Sequence, residues 1–156
     1  MDSARILLVE DEALVGIEIK NTLQRLGYTR TDLVKSGEGA LEQVQEHPPD
    51  LILMDVNLDG TLDGIEATQK IHREYDVPVI FVTAYSSDSI LERMRETEAI
   101  GYLIKPIDDS DLETITRSVL GDGEGDLNSG QLFLEWLKDV LGSVTALTPT
   151  VPRIPV

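Results

Sequence analysis

Leu51-Ile52-Leu53-Met54-Asp55 is an apolar run that stops on a carboxylate, and shorter or weaker copies of the same form recur along the chain. Pro48-Pro49 precedes it and Asp59-Gly60 follows shortly after. A continuous apolar run this short, bounded by turn residues, predicts a β-strand covered on both faces. Upstream lie Ile6–Val9 and the weaker Thr29–Val34; downstream lie Val79–Val82 and Tyr102–Ile104.

Helix-period segments fill the gaps. Leu14, Ile17, Ile19, Leu23 and Leu26 recur at helical spacing until Gly27, a helix-ending glycine. Ala40, Leu41 and Val44 mark a short helix that stops at His47-Pro48-Pro49. Ile65, Thr68 and Ile71 define the next, Ile90, Leu91 and Met94 the fourth, and Leu112, Ile115, Val119 and Leu120 the fifth. Strict strand–helix alternation implies an α/β fold with a parallel sheet, because parallel strands need crossover connections. Five such units, with no Gly-rich loop after the first strand, predict a flavodoxin-like doubly wound five-stranded sheet in the order 2-1-3-4-5, with helices on both faces. In that layout chemistry gathers beyond the carboxyl ends of the strands.

Those ends are chemically marked. The first strand runs into Glu10-Asp11-Glu12, the third into Asp55, the fourth into Thr83-Ala84 and the fifth into Lys105-Pro106. Carboxylates about 5 Å apart repel by about 3 kcal/mol per pair at an effective dielectric near 20, which favours recruitment of a divalent cation. An all-oxygen donor set with few protein ligands suits Mg²⁺. A carboxylate beside such an ion can act as a nucleophile toward phosphorus and form an acyl phosphate. Lys105, Thr83 Oγ and nearby backbone N–H groups would then neutralise the phosphoryl oxygens. Glu12 reads as a first-turn acid favoured by the helix dipole. His47 and His72 read as surface residues.

Composition narrows the classes further. The 156 residues carry a formal charge of −16, which argues against a nucleic-acid surface. There is no cysteine, so disulfides and thiolate metal sites are excluded. The N-terminal apolar run is too short for a signal peptide or a membrane span, and a cytoplasmic protein without membrane contact is expected.

At Val9-Glu10-Asp11-Glu12, Met54-Asp55, Asp63-Gly64, Val82-Thr83-Ala84 and Gly101-Tyr102-Leu103-Ile104-Lys105-Pro106 the chain resembles the receiver domains of two-component response regulators. The resemblance covers roughly residues 4–120. It implies Asp55 as phosphoacceptor, with Asp11, Asp55, the backbone carbonyl of Asn57 and, often through water, Glu10 on Mg²⁺. It implies Asn57, Thr83, Ala84 and Lys105 around the phosphoryl group, Thr83 and Tyr102 as the switch pair, and a cis Lys105-Pro106 bond. The implied phosphodonor is a histidine kinase or phosphotransfer protein. The implied role is a signalling domain that assists its own phosphorylation and dephosphorylation, not an enzyme with a separate substrate. Departures from the family pattern are Glu10 where an aspartate is common, Leu58-Asp59-Gly60 where many members carry a proline, and a loop to Asp63-Gly64 one residue longer than the commonest form, a variant found in receivers joined to sensor kinases.

Two other chemistries compete for Asp55. Asp55 to Glu66 fits the EF-hand calcium-loop spacing D-x-N-x-D-G-x₅-E, but a strand and not a helix leads into it. A haloacid-dehalogenase-like phosphatase would want an acid at Asn57, and an amide delivers no proton. The receiver is expected over 1–120, followed by an acidic Gly-rich linker at 121–130. An amphipathic tail helix is expected at 131–142 and an extended or disordered end at 143–156. Phe133, Trp136, Leu137, Val140 and Leu141 fall on one side of that helix, either against the domain or as part of a homodimer through the receiver or the tail.

Overall fold

The structure, a computed structural model, describes residues 4–84, 87–121 and 144–146. The linker beyond Gly121 and the tail helix expected at 131–142 lie outside the described residues. Five units follow one another: β1 (Arg5–Val9), α1 (Ala13–Arg25), β2 (Arg30–Val34), α2 (Gly37–Glu46), β3 (Leu51–Asp55), α3 (Gly64–His72), β4 (Val79–Thr83), α4 (Asp88–Arg95), β5 (Gly101–Ile104) and α5 (Asp109–Leu120). They form the parallel order β2-β1-β3-β4-β5 that the alternation predicts.

The sheet has one strand more than expected. β6 (Val144–Ala146) pairs antiparallel with β5, Gly101 opposite Ala146 and Leu103 opposite Val144. The five parallel strands stand as expected, and Val144–Ala146, within the stretch expected to be extended or disordered, adds a short antiparallel strand at the β5 edge. Three residues are too few for a hydrophobic period to register.

β3 and β4 are buried at every position, as central strands of a doubly covered sheet should be. Successive side chains point to opposite faces, which divides the core in two. Leu7, Val9, Ile52, Met54, Val79 and Phe81 pack with α2, α3 and α4 on one face. Ile6, Leu8, Leu51, Leu53, Ile80 and Val82 pack with α1 and α5 on the other.

The helical pattern of α1 is real, but its inward stripe is not the one the apolar spacing marks. Gly16, Ile19, Thr22 and Leu23 are buried, while Leu14 is 77% and Ile17 48% exposed. Gly16 sits on the inward line because a β-carbon there would meet the Leu33 side chain at about 3.0 Å. The inward stripe therefore mixes glycine, threonine and leucine, and two apolar residues fall outside it.

Candidate functional site

All four marked strand ends meet on one edge of the sheet. Glu10, one residue past β1, is 1% exposed, and Asp55, the last residue of β3, is 3% exposed. Glu10, Asp11 and Asp55 each offer a carboxylate oxygen within 4.8 Å of the others. Lys105, one residue past β5, places Nζ 2.8 Å from Glu10 Oε1 and 3.3 Å from Asp55 Oδ2. Its backbone N–H donates to Thr83 O at 2.8 Å, which locks the ends of β4 and β5 together. The Lys105-Pro106 bond is cis, as the resemblance implied.

A cleft of about 360 Å³ opens over these groups, lined by Asp11, Glu12, Asp55, Asn57, Asp59, Ala84 and Lys105. Lys105 is the one cation among its lining residues. Burial pushes the Asp55 carboxyl up to about 7, Glu10 adds to the rise, and Lys105 and the Asn57 N–H oppose it. Burial alone would lower the Lys105 ammonium, yet the hydrogen bond it donates to Glu10 and the charge of Asp55 carry it above its usual value. A carboxyl whose ionisation is opposed by burial and by Glu10 is a group that a second cation would ionise. Three oxygens of this kind, without sulfur or imidazole among them, fit Mg²⁺.

Loop residues complete the wall. Asn57 N–H donates to Asp55 Oδ1 at 3.2 Å, and Asp59 N–H donates to Asp11 Oδ2 at 3.2 Å. The Glu12 N–H likewise donates to Glu10 Oε2 at 3.1 Å. The loop is pinned at its far side by Glu38, which accepts from both the backbone N–H and the hydroxyl of Thr61. The Thr61 hydroxyl is the main reason the Glu38 carboxyl is held below its ordinary value. The sequence reading assigned no site role to Thr61 or Glu38 and placed Asp59 only in the variant loop and the calcium spacing, since these contacts join distant segments. The extra loop residue was the available signal for Asp59.

The remaining expected positions are placed as follows. Thr83 ends β4 and is fully buried, while its neighbour Ala84 lines the cleft. Tyr102 is on β5, 7% exposed, within the cluster that contains Phe81, Met94 and Ala99. Asn57 is exposed beside the cleft mouth. Of the histidines, His47 is exposed; His72, expected at the surface, is half-buried with Nε2 2.8 Å from Val77 O.

Glu66, the residue that would close a calcium loop, is used elsewhere. Its carboxylate accepts from Asp63 N–H at 3.0 Å while Asp63 accepts from Glu66 N–H at 2.8 Å, a reciprocal cap on α3. The segment leading into Asp55 is a buried strand and not a helix, so the calcium geometry is not built.

Comparison with known proteins agrees with this arrangement. The family model described as a response regulator receiver domain matches residues 6–117. The transcriptional regulatory protein PdtaR of Mycobacterium tuberculosis is 37% identical over 108 residues, 69% of this chain and 52% of the relative. AfsQ1 of Streptomyces coelicolor, also a transcriptional regulatory protein, is 34% identical over 82% of this chain and 56% of its own length. The chain thus spans about half the length of these relatives. Among solved structures, the receiver domain of the Pseudomonas aeruginosa sensor histidine kinase PA1611, with a magnesium ion in its active-site cleft, superposes with a TM-score of 0.67. It is 34% identical, covering 73% of this chain and 94% of that one. The N-terminal domain of a response regulator/sensory box/GGDEF protein from Carboxydothermus hydrogenoformans also gives 0.67, at 36% identity over 72% of this chain and 90% of that one.

Proposed function

This chain belongs to the response regulator receiver domain family, and from that premise we propose that it accepts a phosphoryl group on Asp55 in a Mg²⁺-dependent reaction and so switches its protein contacts. The observation that carries the reading is the shared position of Lys105 against both Glu10 and Asp55 in an otherwise acidic cleft.

Asp11, Asp55, the Asn57 carbonyl and Glu10 are the residues that would hold Mg²⁺, and the bound ion would supply positive charge favouring the ionised Asp55 and offsetting charge on the phosphoryl oxygens. The Asp55 carboxylate attacks phosphorus, an O–P bond forms, and the N–P bond of a phosphohistidine breaks. The leaving imidazole nitrogen keeps the electron pair and takes a proton from water. Lys105 exchanges part of its contact with Asp55 for a phosphoryl oxygen, and the Ala84 N–H and Thr83 Oγ meet another. Thr83 must leave its buried position to do so. That movement frees space beside Tyr102, and the β4–α4–β5 surface changes shape.

The donor is a histidine kinase or phosphotransfer protein. Exposed Leu14 and Ile17 lie in the first turns of α1, just after Glu10-Asp11-Glu12, and they supply an apolar landing face for that donor. The receiver spans 1–120 with 121–130 as linker, and it acts in the cytoplasm; no helix of the described residues is long and apolar enough to cross a membrane. With a charge of −16, this segment makes protein contacts and not nucleic-acid contacts.

The test is intact-mass analysis after incubation with a small-molecule phosphodonor. Wild type gains the mass of one phosphoryl group with Mg²⁺ and none with a chelator, and Asp55→Asn gains none. Equal labelling of Asp55→Asn would refute the assignment.

A further inference from the structure

The two edges of the sheet are protected differently. β2 carries Arg30 and Asp32, and Asp32 is tied to Arg5 at 2.9 Å and to Gln43 at 3.2 Å. Charges on an edge strand discourage pairing with another chain. β5, Gly101-Tyr102-Leu103-Ile104, carries no charge. Left bare, it would offer unpaired N–H and C=O groups along a strand that is apolar except for the tyrosine hydroxyl.

It is not bare. β6 lies along it antiparallel, with Tyr102 opposite Thr145. A strand has two hydrogen-bonding edges, and β5 gives the other to β4. While Val144–Ala146 is in place, no further strand can pair there. β6 is itself a poor template for extension: it has three residues, and the sequence beyond it carries proline at 149, 152 and 155, with no N–H to donate to a ladder.

We infer that Val144–Ala146 is an intramolecular guard strand over β5, and that without it the β5 edge pairs with β5 of a second copy of this chain. The edge accepts an antiparallel strand, as β6 demonstrates, and two identical strands related by a two-fold axis are antiparallel by symmetry. A second copy therefore meets the geometry without new complementarity. The tether from α5 keeps β6 at a high effective concentration, so the self-paired form dominates. This inference is separate from the phosphoryl chemistry, and its test uses neither phosphodonor nor metal.

The test compares full-length wild type, Thr145→Pro and Thr145→Val by hydrogen exchange and by light-scattering mass over a concentration series. Proline fixes φ, carries no N–H and disfavours so short a strand, whereas valine keeps a β-branched strand residue. Wild type and Thr145→Val should be monomeric, with slow exchange at 101–104. Thr145→Pro at low concentration should exchange there about tenfold faster while β1 and β3 are unchanged. It should then double its mass as concentration rises. A Thr145→Pro chain that stays monomeric throughout, or wild-type exchange at 101–104 that the proline leaves unaltered, contradicts the inference.

Discussion

A β-carbon on Gly64 would lie 1.9 Å from the carbonyl oxygen of Asp55, so the start of α3 is packed directly on the main chain of the residue at the centre of the cleft. The Gly64 N–H also donates to Val56 O at 3.0 Å, which closes the loop between them. The glycine is required by contact and not by backbone conformation.

Gly64→Ala should therefore cost about 3 kcal/mol in urea unfolding, because overpacking against backbone cannot be relieved by a rotamer change. Gly27→Ala is the control. Gly27 has φ +104 but nothing within 4 Å of an added β-carbon, so about 1 kcal/mol is expected there. Equal losses at the two positions would show that close packing on Asp55 is not the constraint.

The raised Asp55 carboxyl predicts an unusual pH profile. Its folded value near 7 lies above the unfolded value of about 3.9. Between those limits the folded chain binds the extra proton, so stability without metal is undiminished at pH 4 and falls as pH rises to 7. Asp55→Asn removes the ionising group. In chelator it should be more stable than wild type by about 2 kcal/mol at pH 8 and about equal near pH 4. The full shift would give more, but the open cleft and the lost Lys105 contact reduce it. A difference that does not vary with pH would overturn this account of Asp55.

Lys105 is shared by two buried acids, so its removal leaves them facing each other. Lys105→Met should raise the Asp55 midpoint above the wild-type value in a carboxyl-carbon NMR titration. It should also destabilise the metal-free protein at pH 8 by about 3 kcal/mol. An unchanged midpoint would mean that the ammonium does not act on Asp55.

Leu14 is far more exposed than an apolar residue on a helix usually is. Leu14→Asp should slow phosphotransfer from a cognate histidine kinase by about tenfold or more, since a charge is placed in an apolar contact. It should leave labelling by a small phosphodonor unaltered. Parallel losses with both donors would remove the α1 docking face.

The strands and their order were legible because a parallel sheet covered on both faces leaves unbroken apolar runs, and the place of the site was legible because four of those runs lead into an ionisable or hydroxyl residue. Asp55, Glu10, Asp11 and Lys105 come together as those endings imply. Periodicity misjudged α1, where Leu14 and Ile17 fit a helical repeat but point outward because Gly16 and Thr22 hold the inward line. The ties of Asp59 to Asp11 and of Thr61 to Glu38 join segments far apart in sequence, which no local pattern reports. β6 lies in the end expected to be extended or disordered, but nothing in Val144-Thr145-Ala146 marks it as a strand or names β5 as its partner.

The most direct measurement is chemical trapping of the modified side chain. Borohydride reduction after phosphodonor and Mg²⁺ treatment converts an aspartyl phosphate to homoserine, which peptide mass spectrometry locates. The account predicts homoserine at position 55 alone, absent when Mg²⁺ is chelated. Homoserine at Asp11 or Asp59 with Asp55 intact would contradict it.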